Sequence, residues 1–307
     1  MVRFVLRRLG FIAIVSVGIL FFSFFGMRMA SNSTSASPSY NPIAPARYAA
    51  QQTVRYVSGV FRGDLGAINL REGRRLRRVG VGELLADSYP KSMGLLLISL
   101  LAAALIGIPL GVTAAVHRHS ALSLGTMTLT LLGISVPSFS VAALLQIGEI
   151  YWYRSYGFRL VPVGGFGWDA HLIIPVLVLA ARPLAYLARI AYMSFSEILE
   201  QSYIRTARSK GLYWSTVMSG HAYPNAAVPI LTGLGVSLRF SLGSLPVVEH
   251  FLGWPGIGAA LLDAIRNRQA VGVAGMALML GLTFMAINLL LDVLYRYADP
   301  RLREQEI

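Results

Sequence analysis

An all-α membrane protein with six spanning helices is the fold this sequence predicts, and three observations carry the prediction. Charged residues fill only 13% of the 307 positions, about half the share found in a soluble globular domain. Several apolar runs reach the roughly 20 residues a helix needs to cross a bilayer. The runs are uniformly apolar rather than alternating, which selects helices over barrel strands, because an isolated strand leaves its backbone unsatisfied in lipid.

The first run, Leu9 to Met27, follows Arg3, Arg7 and Arg8. It reads either as an uncleaved N-terminal span over residues 1–27 or as a signal peptide cut near Ala36, in the Ser/Ala-rich stretch that follows. Its near-spanning length and the later spans favour the first reading. Residues 28–91 then form an extracytoplasmic segment. Within it, "SNSTSASPSYNP" reads as a flexible exit, and "YAAQQTVRYVSGVFRGDLG" has helical spacing followed by a Gly/Asp turn, so a small folded cap is expected. The other spans fall at Ser92 to Val116, Leu122 to Tyr151, Leu172 to Met193, Ala226 to Val247 and Val271 to Tyr295, making residues 92–307 a five-helix core. Pro109, Pro137, Pro175 and Pro183 inside these runs are tolerable where neighbours or water satisfy the freed carbonyls.

Orientation follows from the basic residues that flank short loops. Arg3, Arg7 and Arg8, then Arg118, then Arg205, Arg208 and Lys210, and finally Arg296, Arg301 and Arg303 all fall on one side. That side is assigned as cytoplasmic, with both termini on it. The external cluster of Arg71, Arg74, Arg75, Arg77 and Arg78 runs against the trend, but long translocated segments largely escape the charge rule. It reads as solvated surface charge or as an electrostatic docking patch. The net charge of +13 in so apolar a chain is topological and lipid-facing rather than a footprint for nucleic acid.

One cytoplasmic loop, 194–225, interrupts the apolar pattern. In "YIRTARSKGLYWSTVMSGHAYPNAAVP" a basic helical stretch ends at Gly211, a residue that accepts a left-handed backbone. Drawn as one helix over 197–210, it places Leu199, Tyr203 and Ala207 on one face and Glu197, Gln201, Arg205 and Arg208 on another. Such a helix suits either the membrane surface, with Arg205, Arg208 and Lys210 near anionic headgroups, or a groove in a soluble partner.

The loop resembles that of the permease subunits of ATP-binding-cassette importers, in the dipeptide, oligopeptide and nickel branch. Arg205-Thr206-Ala207 stands where the general form of the family reads Glu-Ala-Ala, Gly211 is in place, and His221-Ala222-Tyr223-Pro224 takes the later Ile-x-Leu-Pro position. "IGIPLGVTAAVHRHS", "LLGISVPSFSVAALL", "VVEHFLGWPGIGAALLDAI", "NLLLDVLYRYADPRLR" and "FRGDLG" are also similar to segments of that branch, so the resemblance runs over most of the chain. It implies the type I importer permease fold, with an extracellular segment after helix 1, in a multi-pass protein of the prokaryotic inner membrane. It implies a coupling helix as well, with Tyr203, Arg205, Thr206, Ala207, Lys210, Gly211, His221 and Asn225 meeting an ATPase subunit. The implied partners are a second permease, two nucleotide-binding ATPase subunits and an extracytoplasmic solute-binding protein, besides membrane lipid.

Chemistry within the chain is not expected. There is no cysteine and no G-x-x-x-x-G-K-[ST] loop, so ATP and Mg belong on partner subunits, and no cofactor or metal is assigned to this chain. His117 and His119 read as interfacial charge, because no acidic or Cys cluster completes a ligand set. The substrate-pathway candidates are Arg182, Glu149 and Arg239. Arg182 lies near the middle of the fourth span, where an Arg is expensive unless it faces a cavity or a carboxylate. It departs from the small or apolar residue usual in the branch. It reads either as a pathway residue that attracts a substrate carboxylate or as a structural partner of Glu149 or of another subunit. Glu249 with Trp254-Pro255-Gly256 reads as a rigid external turn, and Asp292 as a partner of an Arg near the cytoplasmic end. The competing function is an ion-gradient-driven secondary transporter or channel, which predicts inverted repeats and a carboxylate relay within the spans. Neither is evident in the sequence. A membrane scaffold gives no account of the loop or of "WPGIG".

Overall fold

The computed structural model describes the backbone of residues 2–32, 43–72 and 75–298, and the side chains of 8–31, 43–69 and 77–294. The flexible exit expected at 31–42, the side chains of Arg3, Arg7, Arg71, Arg74, Arg75 and Arg296, and Arg301 and Arg303 therefore lie largely or wholly outside the described residues. In chain order the elements are α1 (Val2–Asn32), α2 (Ile43–Phe61), β1 (Ala67–Glu72), β2 (Arg75–Gly80), α3 (Val81–Val116), α4 (Ala121–Ser135), α5 (Ser138–Tyr156), α6 (Ile173–Glu200), α7 (Ser202–Ser209), α8 (Trp214–Val217), α9 (Tyr223–Leu252), α10 (Ile257–Arg266) and α11 (Ala270–Ala298).

Five helices among the described residues are long and apolar enough to cross a membrane, and α4 with α5 makes a sixth span if the bent pair is counted as one. The third span is thus not the single rod expected over Leu122 to Tyr151. Its halves meet at 106°. The cause is Pro137, which forces the preceding residue away from helical geometry: Val136 is extended, at φ −76° and ψ 127°, and Pro137 becomes the N-cap of α5. Pro109 and Pro183 stay within continuous helices, and Pro175 sits in the first turn of α6, where no backbone bond is lost.

The chain forms two compact units that are not sequential. One comprises Met1–Met93 with Pro255–Leu289, the other Gly94–Trp254 with Leu290–Ile307. The predicted 92–307 core is therefore divided between them. In the first unit, Leu20 and Phe24 of α1 pack on Ala49 and Tyr56 of α2 and on Ala274 and Leu278 of α11. A second cluster joins Ile68, Val81, Ile257, Ala264, Val273 and Met276. Burial, and secondarily the negative charge of Asp64, push the Tyr56 phenol up to about 12. The expected cap is present as α2 and a turn in which the Asp64 carboxylate accepts from Gly66 N–H at 2.8 Å. The sequence reading missed its second half, an antiparallel hairpin registered from Ala67↔Gly80 to Glu72↔Arg75. Arg77 there lies 3.7 Å from Glu83, both exposed, which makes this part of the arginine cluster solvated charge.

In the second unit, α6 and α9 pack side by side, and Val112, Ala115, Ala191, Phe195, Met218, Ala222 and Ala226 form its core. Gly107 and Gly111 bring α3 against the backbone of α6: a Cβ at Gly107 would lie 2.6 Å from the Leu184 carbonyl oxygen. Small residues spaced four apart allow this close approach between membrane helices. At the other end of the unit, Trp254 is fully buried, with Phe166 and Trp168 edge-on to it at 4.8 and 5.7 Å. Gly253 adopts the left-handed conformation at φ 67°, and Trp254 N–H donates to the Glu249 carbonyl at 2.8 Å, so the rigid turn read from "GWPG" is present.

The loop before α6 is held by Asp169, whose carboxylate accepts from His171 N–H at 3.0 Å and lies 2.7 Å from His171 Nδ1. These bonds, the backbone one foremost, hold the carboxyl below its ordinary 3.8. A lowered folded pKa means that the contribution is complete above the unfolded value and is lost as pH falls through the folded one. Pepsin cleavage between Gly157 and Leu172 is therefore expected to accelerate as pH drops below the ordinary 3.8, and Asp169→Asn is expected to flatten that dependence.

Candidate functional site

The interrupting loop does not fold as the single helix drawn over 197–210. Helix α6 continues to Glu200, Gln201 is extended at φ −64° and ψ 148°, and α7 is a separate element of eight residues. Glu197 therefore belongs to the end of a long helix, and the stripe of Glu197, Gln201, Arg205 and Arg208 is broken. The buried face is also different. Ile204 and Ala207 face inward, whereas Tyr203, expected there with Leu199, is 40% exposed. A helix this short does not persist on propensity alone. It is fixed by a small cluster of Ile204, Ala207 and Val217, with Ile198 and Leu199 packed against it.

Gly211 ends the segment as the sequence predicts. Its φ is 75°, a region in which a side chain would be strained. Gly211 N–H donates to the Arg208 carbonyl at 3.0 Å and Leu212 N–H to that of Ala207 at 3.3 Å, the paired bonds that close a helix on a left-handed residue. The chain then turns through α8 and one π-helical turn, Met218–Ala222, into α9. His221 lies in that turn, and its carbonyl accepts from Asn225 Nδ2 at 2.6 Å. Pro224 sits in the first turn of α9, where its missing N–H is of no consequence.

The outer surface of the loop is mixed in character. Arg205, Thr206, Lys210 and Asn225 are exposed, and Thr206 Oγ1 donates back to the Ser202 carbonyl at 3.0 Å. Around them lie Leu212 at 42%, Tyr213 at 83%, Trp214 at 42% and Tyr223 at 47% exposure. Exposed aromatics beside basic groups are the composition of a partner interface rather than of plain solvated surface. The sequence reading did not single these residues out, although "LYW" directly after Gly211 carries the signal.

Behind α7 a cavity of about 160 Å³ lies among Ala115, Val116, Arg118, Ser196, Glu200 and Arg208. Arg118 is ion-paired with Glu200, tying the end of α3 to the end of α6, and the Arg208 guanidinium lies over Trp214 at 5.6 Å. Side chains from the ends of two long helices and from the loop thus surround one space, an arrangement that transmits displacement of α7.

The pathway candidates separate. Glu149 is buried, and Oε1 accepts from the backbone N–H of Leu160 at 2.8 Å and Val161 at 3.4 Å. It pins the loop after α5 and does not pair with Arg182. Arg182 is exposed on α6, its guanidinium 4.2 Å from the centroid of Phe240, and Arg239 is exposed on α9. Helix α6 runs past the expected Met193, so Arg182 lies off-centre, roughly 14 Å from the Ile173 end and 27 Å from the Glu200 end at 1.5 Å per residue.

Residues 107–304 match the family model described as binding-protein-dependent transport system inner membrane component. Among similar proteins, a Brucella abortus protein described as a peptide transport system permease is 40% identical over 226 residues, covering 73% of this chain and 72% of its own. The dipeptide transport system permease protein of Escherichia coli is 30% identical, with both chains covered in full. The glutathione transport system permease protein of Salmonella paratyphi A is 34% identical over 81% of this chain and 78% of its own.

Proposed function

From the premise that this chain belongs to the family of binding-protein-dependent transport system inner membrane components, we propose that it forms half of the membrane pathway of an ATP-driven importer of short peptides. A second permease supplies the other half. Two ATPase subunits, carrying ATP and Mg, dock at the α7 loop, and an extracytoplasmic binding protein delivers cargo at the opposite face. The chain itself is a multi-pass inner-membrane permease, and the cytoplasmic placement of both termini follows from the charge asymmetry. Peptide cargo is inferred from the relatives, whose names give peptides, dipeptides and glutathione.

The observation that best supports docking at this loop is its construction: an eight-residue helix anchored by Ile204 and Ala207, closed by Gly211, with its polar and aromatic side turned outward. Movement of a bound ATPase at α7 reaches α3 and α6 through the residues around Arg118 and Glu200. The transition required is a rigid-body shift of helices between inward-open and outward-open states.

The test is affinity purification of the tagged protein from its native membrane, with mass spectrometry of what co-elutes. Nucleotide-binding subunits and a second permease are the expected companions. Gly211→Pro is incompatible with a φ of 75°, because proline fixes φ near −65°. It is expected to leave the chain in the membrane while lowering ATP-driven uptake at least about tenfold, the effect of a loop geometry disrupted by a few kcal/mol. Repeated isolation of the chain alone, still transporting without ATP, overturns the reading in favour of a gradient-driven carrier.

A further inference from the structure

The charge on the membrane-level faces of α6 and α9 has no role in docking or coupling. Arg182, Tyr186 and Arg189 recur at i, i+4 and i+7, so they share one face of α6. The Arg182 guanidinium lies over Phe240 of α9 at 4.2 Å, and Tyr186 stands edge-on to the same ring at 5.7 Å and 88°. Arg239, the neighbour of Phe240, is exposed on α9. Among the described residues, neither Arg182 nor Arg189 has a carboxylate within ion-pair distance. Between Ile173 and Phe195 on α6 and between Tyr223 and Val248 on α9 the sequence contains no acidic residue.

A guanidinium at this depth is not stable against hydrocarbon, so the face that carries it borders water or protein. Stacking on Phe240 occupies only the flat side of the guanidinium. Its five N–H donors lie in the plane and stay available at the edge, held in the orientation that receives a carboxylate in two parallel hydrogen bonds. Arg239 and Arg189 add positive potential that favours an anionic group there over an ammonium.

Resting on the importer reading, we propose that Arg182, oriented by Phe240 and Tyr186, is the station on the translocation route that receives the terminal carboxylate of a short peptide. One wet bidentate pair attracts the cargo without trapping it, which is what passage requires.

The test uses the assembled importer in liposomes and exploits the absence of cysteine from this chain. Arg182→Cys introduces one thiol, probed with water-soluble thiosulfonates that add either an ethylammonium or an ethylsulfonate group. With a labelled pool of peptides two to five residues long as cargo, uptake is expected to fall about tenfold, the scale of one charge-assisted hydrogen-bonded pair. Peptides are expected to slow labelling, and only the ethylammonium adduct is expected to restore uptake. Absence of labelling, labelling indifferent to peptide, equal rescue by both adducts, or unchanged uptake each overturns the site. If Arg182→Cys does not assemble, Arg182→Lys and Arg182→Gln decide: Lys is expected to keep uptake and Gln to lose it, both with ATPase stimulation intact, and equal losses overturn the site. A wild type with no ATP-dependent uptake of the pool overturns the importer reading itself, whereas an importing wild type with adverse variants removes only this site.

Discussion

Gly111→Leu is expected to cost this permease its folded second unit, with an apparent Tm in detergent lower by roughly 5–10 °C and loss of assembly with partner subunits. The magnitude follows from what surrounds the glycine. A Cβ there would already lie 2.8 Å from the Cβ of Ala191, and closer still to the carbonyl oxygen of Ala188. That carbonyl is backbone and cannot turn aside, so α3 must move away from α6. The move opens the cluster in which Val112 and Ala115 meet Ala191 and Phe195. Inserting bulk into a packed core costs about 1–3 kcal/mol, and 1 kcal/mol shifts Tm by about 2–4 °C in a chain of 150–250 residues. Gly125→Leu is the control. Nothing lies within 4 Å of a Cβ at Gly125, so the same added volume is expected to leave Tm within about 2 °C. Equal effects of the two substitutions would mean that the α3 glycines are not packed as described. Fluorescence-detected thermal unfolding of the purified protein reads both.

The contrast between those two glycines shows what the sequence made legible and what it did not. Hydropathy located each spanning run to within a few residues at one end or both, because burial in lipid is a property of composition along a single stretch. It says nothing about which face of α3 meets α6, although "GIPLG" carries the four-residue spacing of small residues that permits close approach. The break at Pro137 was legible in principle from the proline and the extended residue before it. The sequence alone does not tell which of the four prolines bends its helix, because that depends on what each one packs against. The hairpin over 67–80 was hidden by its arginines, whose charge drew the reading toward docking and away from the alternation of Ile68 and Leu70 opposite Arg77 and Val79. The division into units that join Met1–Met93 to Pro255–Leu289 rests on contacts distant in sequence, and no local pattern encodes it. For the candidate site, the glycine stop and the basic composition of the loop were read correctly. The face was not, because a helix drawn one turn too early shifts every side chain around its axis, exchanging Tyr203 for Ile204.

That exchange makes Ile204 the position where the coupling proposal is most exposed to test. Ile204→Asp is expected to abolish ATP-driven uptake, by about a hundredfold, while leaving the spanning helices folded. Ile204 is 1% exposed and holds α7 against Val217, Ile198 and Leu199. Burying an unpaired carboxylate there costs several kcal/mol, more than an eight-residue helix can recover from its own backbone bonds. α7 therefore detaches rather than accommodating the charge. The core that joins α3, α6 and α9 through Val112, Phe195 and Ala226 does not include Ile204, so Tm is expected to change far less than in Gly111→Leu. Tyr203→Ala separates anchoring from docking. Tyr203 lies on the outward side, so its truncation is expected to weaken co-purification of ATPase subunits with Tm unchanged, in keeping with exposed aromatics acting as interface anchors. The two variants thus fail differently. Ile204→Asp loses the lever that joins a bound ATPase to the helices, and ATP hydrolysis by whatever remains bound runs uncoupled from uptake. Tyr203→Ala loses part of the grip on a lever that is still in place. If Ile204→Asp retains peptide-stimulated hydrolysis and uptake together, force enters the membrane helices elsewhere, and the loop is reduced to a connection between α6 and α9.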